Sequence, residues 1–219
     1  MRGDREVDYL TREDLPALFA QVAAVMTEQA EFLSEMDARM GDGDLGITMG
    51  KGFSALPEIL RESEETDFGK TFVKAGMKMA SVVPSTMGTL MASGIMSGGK
   101  KTAGKEKLDA PGYLLFLQGF AEGIAKRGKC ARGERTVLDA VGEAADCLEM
   151  ALAESRELSL SQAAEIAACG AMEGVEKTKS MEPKYGKAAV HKAAALGTPD
   201  QGAYAGYFML KGMADFLKQ

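Results

Sequence analysis

Tryptophan is absent from this chain, aromatic residues make up only 6%, and histidine occurs once, at His191. A lone histidine excludes a multi-histidine metal centre built within this chain. His191 itself sits beside Lys192 in a polar stretch and reads as an exposed bystander. Cysteine occurs three times, at Cys130, Cys147 and Cys169. The number is odd, the spacing is wide and there is no C-x-x-C, so neither a disulfide framework nor a zinc ribbon is expected. Small apolar thiols packed in helices of a reduced, cytoplasmic protein are expected instead. No apolar run approaches the roughly 18 residues of a membrane span. The opening "MRGDREVDYL" has no apolar core of a secretory signal. The net charge of −6 argues against a general nucleic-acid binder.

Alternating apolar and polar runs bounded by turns are also missing, so strands are not expected. Apolar spacing of three and four dominates. Leu15, Leu18, Phe19, Val22, Val25, Met26, Phe32, Leu33 and Met36 place a first helix over 11–40, with Thr11 as its cap. Further helices are expected over 45–61, 67–83, 86–97, 109–127, 136–154 and 202–218. One more, over 159–177, opens with Ser159 and Gln162 in a capping-box arrangement. That makes eight helices, besides one short helical stretch over 188–195 within the long connection before the last. The stretch "SGGKKTAGKEK" reads as a flexible basic loop. Its Lys100, Lys101, Lys105 and Lys107 read as solvated charge rather than as a phosphate site. With no linker and no repeat, residues 1–219 are expected to form a single all-α domain.

Within this pattern "MGDGDLGITM" stands out. Gly41-Asp42-Gly43-Asp44-Leu45-Gly46 satisfies the dinucleotide pattern G-x-G-x-x-G, but it follows a helix rather than a strand. Its two carboxylates would also repel a pyrophosphate. An EF-hand loop fails as well, because a loop starting at Asp42 would put Gly46 and Phe53 where ligands are needed. Two readings stay open. Asp44 caps the next helix and Asp42 is an ordinary turn residue; or Asp37, Asp42 and Asp44 converge on a hard cation such as Mg²⁺, which favours carboxylates plus substrate phosphates.

The longer stretch "LSEMDARMGDGDLGITMGKGF" resembles the nucleotide-binding L subunit, or L domain, of dihydroxyacetone kinase. "GKCARGERTVLDAV" and "YGKAAVHKAAALGTPDQGA" resemble two later segments of that family, in the same order. The resemblance spans about 33–203. It implies an all-α, antiparallel eight-helix barrel. It implies that Asp37, Asp42 and Asp44 hold two Mg²⁺ ions against the phosphates of ATP or ADP, which would reconcile the acidic loop with an anion. It places Leu45, Thr48, Ser85 and Thr86 near the phosphates and Gly128 with its following loop over the base. It places Val137 against the base, Lys187 on the phosphates, and Asp200 and Gly202 near the nucleotide. Met87 and Met91 are further candidates for the pocket lining. Arg132 and Arg135 either help close the loop after Gly128 or are solvated. Cys130, in that loop, is expected to pack rather than react.

Departures from the family pattern are specific. Leu45 stands where a His is usual, Val137 where Met is usual, Lys187 for Arg and Gln201 for Pro. "SVVPSTMGT" replaces a Gly-Gly-rich phosphate loop. Val190-His191-Lys192-Ala193-Ala194 replaces a Tyr-Leu-Gly-Glu-Arg segment. The function implied is that of a kinase subunit without a side-chain nucleophile. It would pass phosphate from ATP, or from ADP recharged by a phosphotransferase-system carrier, to dihydroxyacetone or a related ketose on a separate K-type subunit. A homodimer or hetero-oligomer is implied, with no membrane or nucleic-acid partner. The alternative is a non-catalytic Mg-nucleotide-binding module that regulates a partner. A weaker third is a nucleotide-binding subunit for another acceptor, such as a four-carbon ketose phosphate or an acyl phosphate.

Overall fold

Amphipathic helices too long for loops of a few residues to do anything but reverse them must lie antiparallel to their neighbours. The computed structural model describes residues 7–155, 157–190 and 195–219, with backbone alone at 187 and 188, and it follows this rule. The helices are α1 (Leu15–Glu28), α2 (Ala30–Ala38), α3 (Leu45–Ser54), α4 (Leu56–Glu62), α5 (Phe68–Val82), α6 (Thr86–Lys101), α7 (Ala110–Gly128), α8 (Val137–Glu154), α9 (Leu160–Lys177) and α10 (Gln201–Leu217). Each packs on its chain neighbours, and α10 returns to lie along α1, closing the ring. The result is an all-α, antiparallel barrel of eight staves. Phe19, Phe53, Phe68, Phe72, Phe116 and Phe120 fill much of its core.

The ten helices among the described residues make eight staves because two expected helices are broken. The first bends at Gln29, where φ −93 and ψ 7 interrupt the helix while Leu33 N–H still bonds to the Gln29 carbonyl. The second breaks at Ala55, two residues before Pro57. Pro57 enters α4 near its start, where a proline is tolerated. Capping follows the sequence closely elsewhere. Asp67, Ser85, Asp109, Thr136, Ser159 and Asp200 all accept backbone N–H groups at the starts of their helices.

Other expectations fail for local reasons. Thr11 does not cap a long helix. Its N–H and hydroxyl both donate to Asp14, closing a 3₁₀ turn at Arg12–Asp14 ahead of α1. Residues 97–101 of the expected basic loop are the end of α6. Gly98 and Gly99 there let α6 approach Phe116 and Phe72 so closely that an added Cβ would fall within 2.7 Å of both side chains. Two short strands exist among the described residues, β1 (Tyr9–Thr11) and β2 (Lys107–Asp109), paired antiparallel with Leu10 opposite Leu108. Phe32 is not core: it is exposed and meets Tyr204 and Phe208 edge-on. Cys169 is exposed too, whereas Cys130 and Cys147 are half-buried, and all three thiols are free. Residues 187–190 form a 3₁₀ turn. The rest of the expected 188–195 helix, including His191 and Lys192, lies outside the described residues apart from Ala195. Among the described residues no helix is long and apolar enough to cross a membrane.

In an up-and-down ring, every second stave starts at the same rim. The even staves begin with α3, α5's successor α6, α8 and α10, so four helix N-termini gather at one end of the barrel. The starts of α1 and α7 meet at the other end, where β1 pairs with β2. This parity positions the site.

Candidate nucleotide and metal site

A cavity of about 590 Å³ opens at the rim where the four N-termini gather. Its wall is drawn from the turn between α2 and α3 and from the first turns of α3, α6, α8 and α10. Backbone N–H groups at a helix start have no intrahelical partner and carry partial positive charge, so the rim favours an anion.

The acidic turn lies within this wall. Oxygens of Asp37, Asp42 and Asp44 lie within 4.8 Å of one another. Asp37 is buried near the end of α2, while Asp42 and Asp44 are exposed to the cavity mouth. Two glycines make the convergence possible. Gly43 adopts φ +76, a left-handed conformation that costs glycine little, and its N–H donates to Asp37 Oδ2 at 2.9 Å. A Cβ on Gly41 would lie 2.3 Å from Asp37 Oδ1, so a side chain there would displace the carboxylate.

The ordinary turn reading of this loop is not what the structure displays. Asp44 occupies the N-cap position of α3, yet its side chain makes no capping hydrogen bond. Its carboxylate is turned toward those of Asp37 and Asp42 instead. Three hard oxygen donors at such separations repel unless a cation lies among them, so the donor set suits a hard divalent ion. A second acid and thiol cluster, Glu143, Cys147 and Glu173, differs: Arg132 and Lys177 pair with Glu143.

Most of the residues expected at the site come together here. Leu45, Thr48, Ser85, Thr86, Val137, Asp200 and Gly202 line the cavity with the three aspartates. Ser85 caps α6 by accepting from Gly88 N–H at 3.0 Å, so the sequence "VPST" still delivers a helix start and two hydroxyls to the wall. Leu45 contributes a buried apolar surface. Gly128 does not line the cavity. It lies one layer behind, where an added Cβ would touch Leu90 and Cys130 at 3.1 Å, and Leu90 is itself a lining residue. Lys187 follows the lining residue Gly186, and its side chain lies outside the described residues. Met87 lines the cavity, but Met91 is fully buried in the core. The Cys130 thiol is pushed up by burial, in keeping with packing.

Asp200 is buried and accepts from Ala203 N–H at 2.8 Å. Burial pushes its carboxyl up to about 6, only partly offset by backbone hydrogen bonds and by Arg135. Arg135 itself is not solvated: it is 3% exposed and lines the cavity. Arg132 is half-exposed and pairs with Glu143 and Asp146.

Among the lining residues that the sequence did not mark as site residues, two make polar links across the fold. Gln201 Nε2 lies 3.3 Å from Asp37 Oδ1 and links α10 to the acidic turn. Its place inside the Asp-x-Gly segment was the available signal. Tyr185 ties the 184–186 segment to the loop after α7. Its hydroxyl lies 2.7 Å from the Lys129 carbonyl and 2.9 Å from Glu134 Oε2. Glu134 also takes hydrogen bonds from Lys184 and from Ala131 N–H, and these with Tyr185 hold its carboxyl down at about 2. No local sequence pattern encodes that latch.

Known proteins resemble this chain in sequence and in fold. The DAK2 domain model matches residues 39–215. The chain is 31% identical over 186 residues to "PEP-dependent dihydroxyacetone kinase 1, ADP-binding subunit DhaL" of Listeria innocua, covering 85% of this chain and 87% of that one. It is 26% identical over 210 residues to "PEP-dependent dihydroxyacetone kinase, ADP-binding subunit DhaL" of Escherichia coli K12, covering 96% and 99%. Its fold matches the crystal structure of the dihydroxyacetone kinase of C. freundii with a TM-score of 0.70 at 19% identity, covering 98% of this chain and 36% of that one. With the family model matching residues 39–215, well over half of the chain, the chain belongs to the DAK2 domain family.

Proposed function

We propose that this chain is the Mg-nucleotide-binding subunit of a two-component kinase for a small ketose, its 219 residues acting as one nucleotide-binding domain. The observation that carries the proposal is the convergence of Asp37, Asp42 and Asp44, with Asp44 left uncapping, on a rim of four helix N-termini. An acidic cluster facing an anion-favouring rim suits a ligand that carries phosphate and cation together. The match over most of the length to two relatives named as ADP-binding subunits of dihydroxyacetone kinase supports the same reading.

Asp37, Asp42 and Asp44 would hold two Mg²⁺ ions. Mg²⁺ bound there supplies neutralisation of the phosphates and of charge that develops in in-line transfer. The chain's own residues do the positioning. The first turns of α3 and α6 present N–H groups and the hydroxyls of Thr48, Ser85 and Thr86 to the anion. Val137, with the loop behind Gly128, covers the base. Asp200 fixes the start of α10, so that Gln201 and Gly202 keep their places against the acidic turn. Lys187 supplies a further positive charge. Transfer needs no nucleophile from this chain, so the ketose is held by a K-type partner, and activity belongs to the cytoplasmic complex. The phosphate donor is ATP or a phosphotransferase-system carrier acting on bound ADP.

Calorimetric titration of ADP and ATP into metal-stripped protein, with and without Mg²⁺, tests the site. Binding is expected only with Mg²⁺, and Asp42→Asn is expected to abolish it. A mixture of this chain, a K-type subunit, ATP and dihydroxyacetone is expected to yield product that neither protein yields alone. Leu45, an apolar residue beside the acidic turn where the family has a polar one, favours a second reading: a Mg-nucleotide-bound module that regulates a partner. Nucleotide binding without transfer in the mixed assay would select it.

A further inference from the structure

Charged groups taken out of water are costly unless they are paired. Arg135 breaks this rule at the wall of the cavity. It is 3% exposed. Its Nη2 donates to the carbonyl and hydroxyl oxygens of Thr198, each at 3.1 Å, and both acceptors are uncharged. Its Nε and Nη1 are buried and have no hydrogen-bond partner. Asp200 acts on it through space. Arg132, three residues earlier, has its guanidinium held by two carboxylates, so the contrast is not a property of the loop as a whole.

The backbone is shaped to put Arg135 there. Gly133 and Arg135 both adopt left-handed conformations, with φ +84 and +59. Such a conformation is unfavourable for a residue with a side chain. The turn it makes points the N–H groups of Gly133 and Thr136 at the buried Asp139 carboxylate. The guanidinium is thereby carried inward to the cavity wall beside the first turns of α8 and α10. A half-satisfied guanidinium held by a strained backbone in a cavity ringed by helix N-termini has one evident complement. That is an anion with several strong acceptor oxygens.

We infer that Arg135 is a ligand-recognition residue, donating from its unpartnered nitrogens to phosphate oxygens of a Mg-polyphosphate in the cavity. The inference deepens the nucleotide reading and rests on it for the identity of that polyphosphate. It adds a specific consequence. The anion is held between two unlike devices: the acidic turn acting through a cation on one side, and a buried guanidinium acting directly on the other. Lysine at this position would keep the charge but lose the directional donors.

The experiment titrates Mg·ADP and, separately, Mg·pyrophosphate into wild type, Arg135→Gln and Arg135→Lys, with the melting temperature of each protein recorded without ligand. Arg135→Gln is expected to weaken both ligands by about tenfold to a hundredfold, the usual loss for a charge-assisted hydrogen bond. Its unliganded melting temperature is expected to hold or rise, because a half-paired buried charge has gone. Arg135→Lys is expected to lie between the two. Unchanged affinity in Arg135→Gln overturns the inference, and so does a fall in melting temperature that accounts for the weaker binding. Arginine-selective NMR on the wild-type protein gives a readout that needs no variant to fold: the Arg135 Nε–H resonance is expected to shift on saturation with Mg·pyrophosphate, and a stationary resonance counts against direct contact. The pyrophosphate arm separates the two readings. Wild type that binds Mg·pyrophosphate through Arg135 but no nucleotide keeps this inference and removes the nucleotide assignment. Wild type that binds neither removes both.

Discussion

Aspartates of two kinds stand at this rim. Asp139 and Asp200 are buried, and their carboxylates are consumed by the backbone: Asp139 accepts from Gly133 and Thr136, Asp200 from Ala203. Asp44 also stands at the start of a helix, and its carboxylate takes no backbone N–H there. Instead it joins Asp37 and Asp42 within 4.8 Å. Position before a helix therefore does not decide an aspartate's task. What separates the sets is what their carboxylates are turned to: Asp139 and Asp200 face backbone N–H groups of their own loops and helix starts, whereas Asp37, Asp42 and Asp44 bring three carboxylates within 4.8 Å of one another.

The sharpest way to break this comparison is Asp44→Asn. It is expected to weaken Mg·ADP by more than about a hundredfold, because a ligand to the ion is lost while the turn is kept. The same substitution is expected to raise the melting temperature of the metal-free protein by about 1–2 °C, as like charges are thinned. A fall in stability together with intact affinity would move Asp44 into the structural set. Asp139→Ala is expected to do the opposite. Two backbone N–H groups lose a buried charged acceptor, which costs about 3 kcal/mol in urea unfolding. A loss below about 1 kcal/mol would show that the loop does not depend on it.

Asp200 gives the smallest and most conditional effect. Its carboxyl is raised from an ordinary 3.8 to about 6 by burial, so the folded state binds the proton more tightly than the unfolded state. Its contribution to stability is full below the ordinary value and is lost as pH rises through 6. Asp200→Asn keeps the helix start and cannot ionise. Relative to wild type it is expected to gain about 2 kcal/mol between pH 4 and pH 7, read from melting curves at both pH values. A gain that does not vary with pH would mean that the burial of this charge is answered elsewhere.

Much of the scaffold was legible in the sequence because apolar spacing and capping are local. Asp67, Thr136 and Ser159 marked their helices to within a residue. The break at Ala55 was missed because the apolar spacing runs on past Pro57 through 45–61, and Gln29 carries no breaking signal, so its bend belongs to the packing of α1 and α2 on their neighbours. Gly98 and Gly99 read as loop residues because glycine lowers helix propensity, yet they serve helix packing there. At the site, the aspartates and the Asp-x-Gly segment were visible because they are contiguous. The burial of Arg135, the link from Gln201 to Asp37 and the Tyr185 latch depend on residues brought together from 50 to more than 160 positions apart. Spacing along a chain carries no record of such meetings.

The parity of the ring also sorts the molecule for attachment. The described chain begins beside β1 and ends at the foot of α10, both at the rim opposite the cavity. A surface tether attached at β1 or at the foot of α10 would leave from behind the site and keep the cavity mouth clear. A turn of that rim, such as 102–106, is correspondingly the place to insert a reporter, while a single added residue in 41–44 would sever the site.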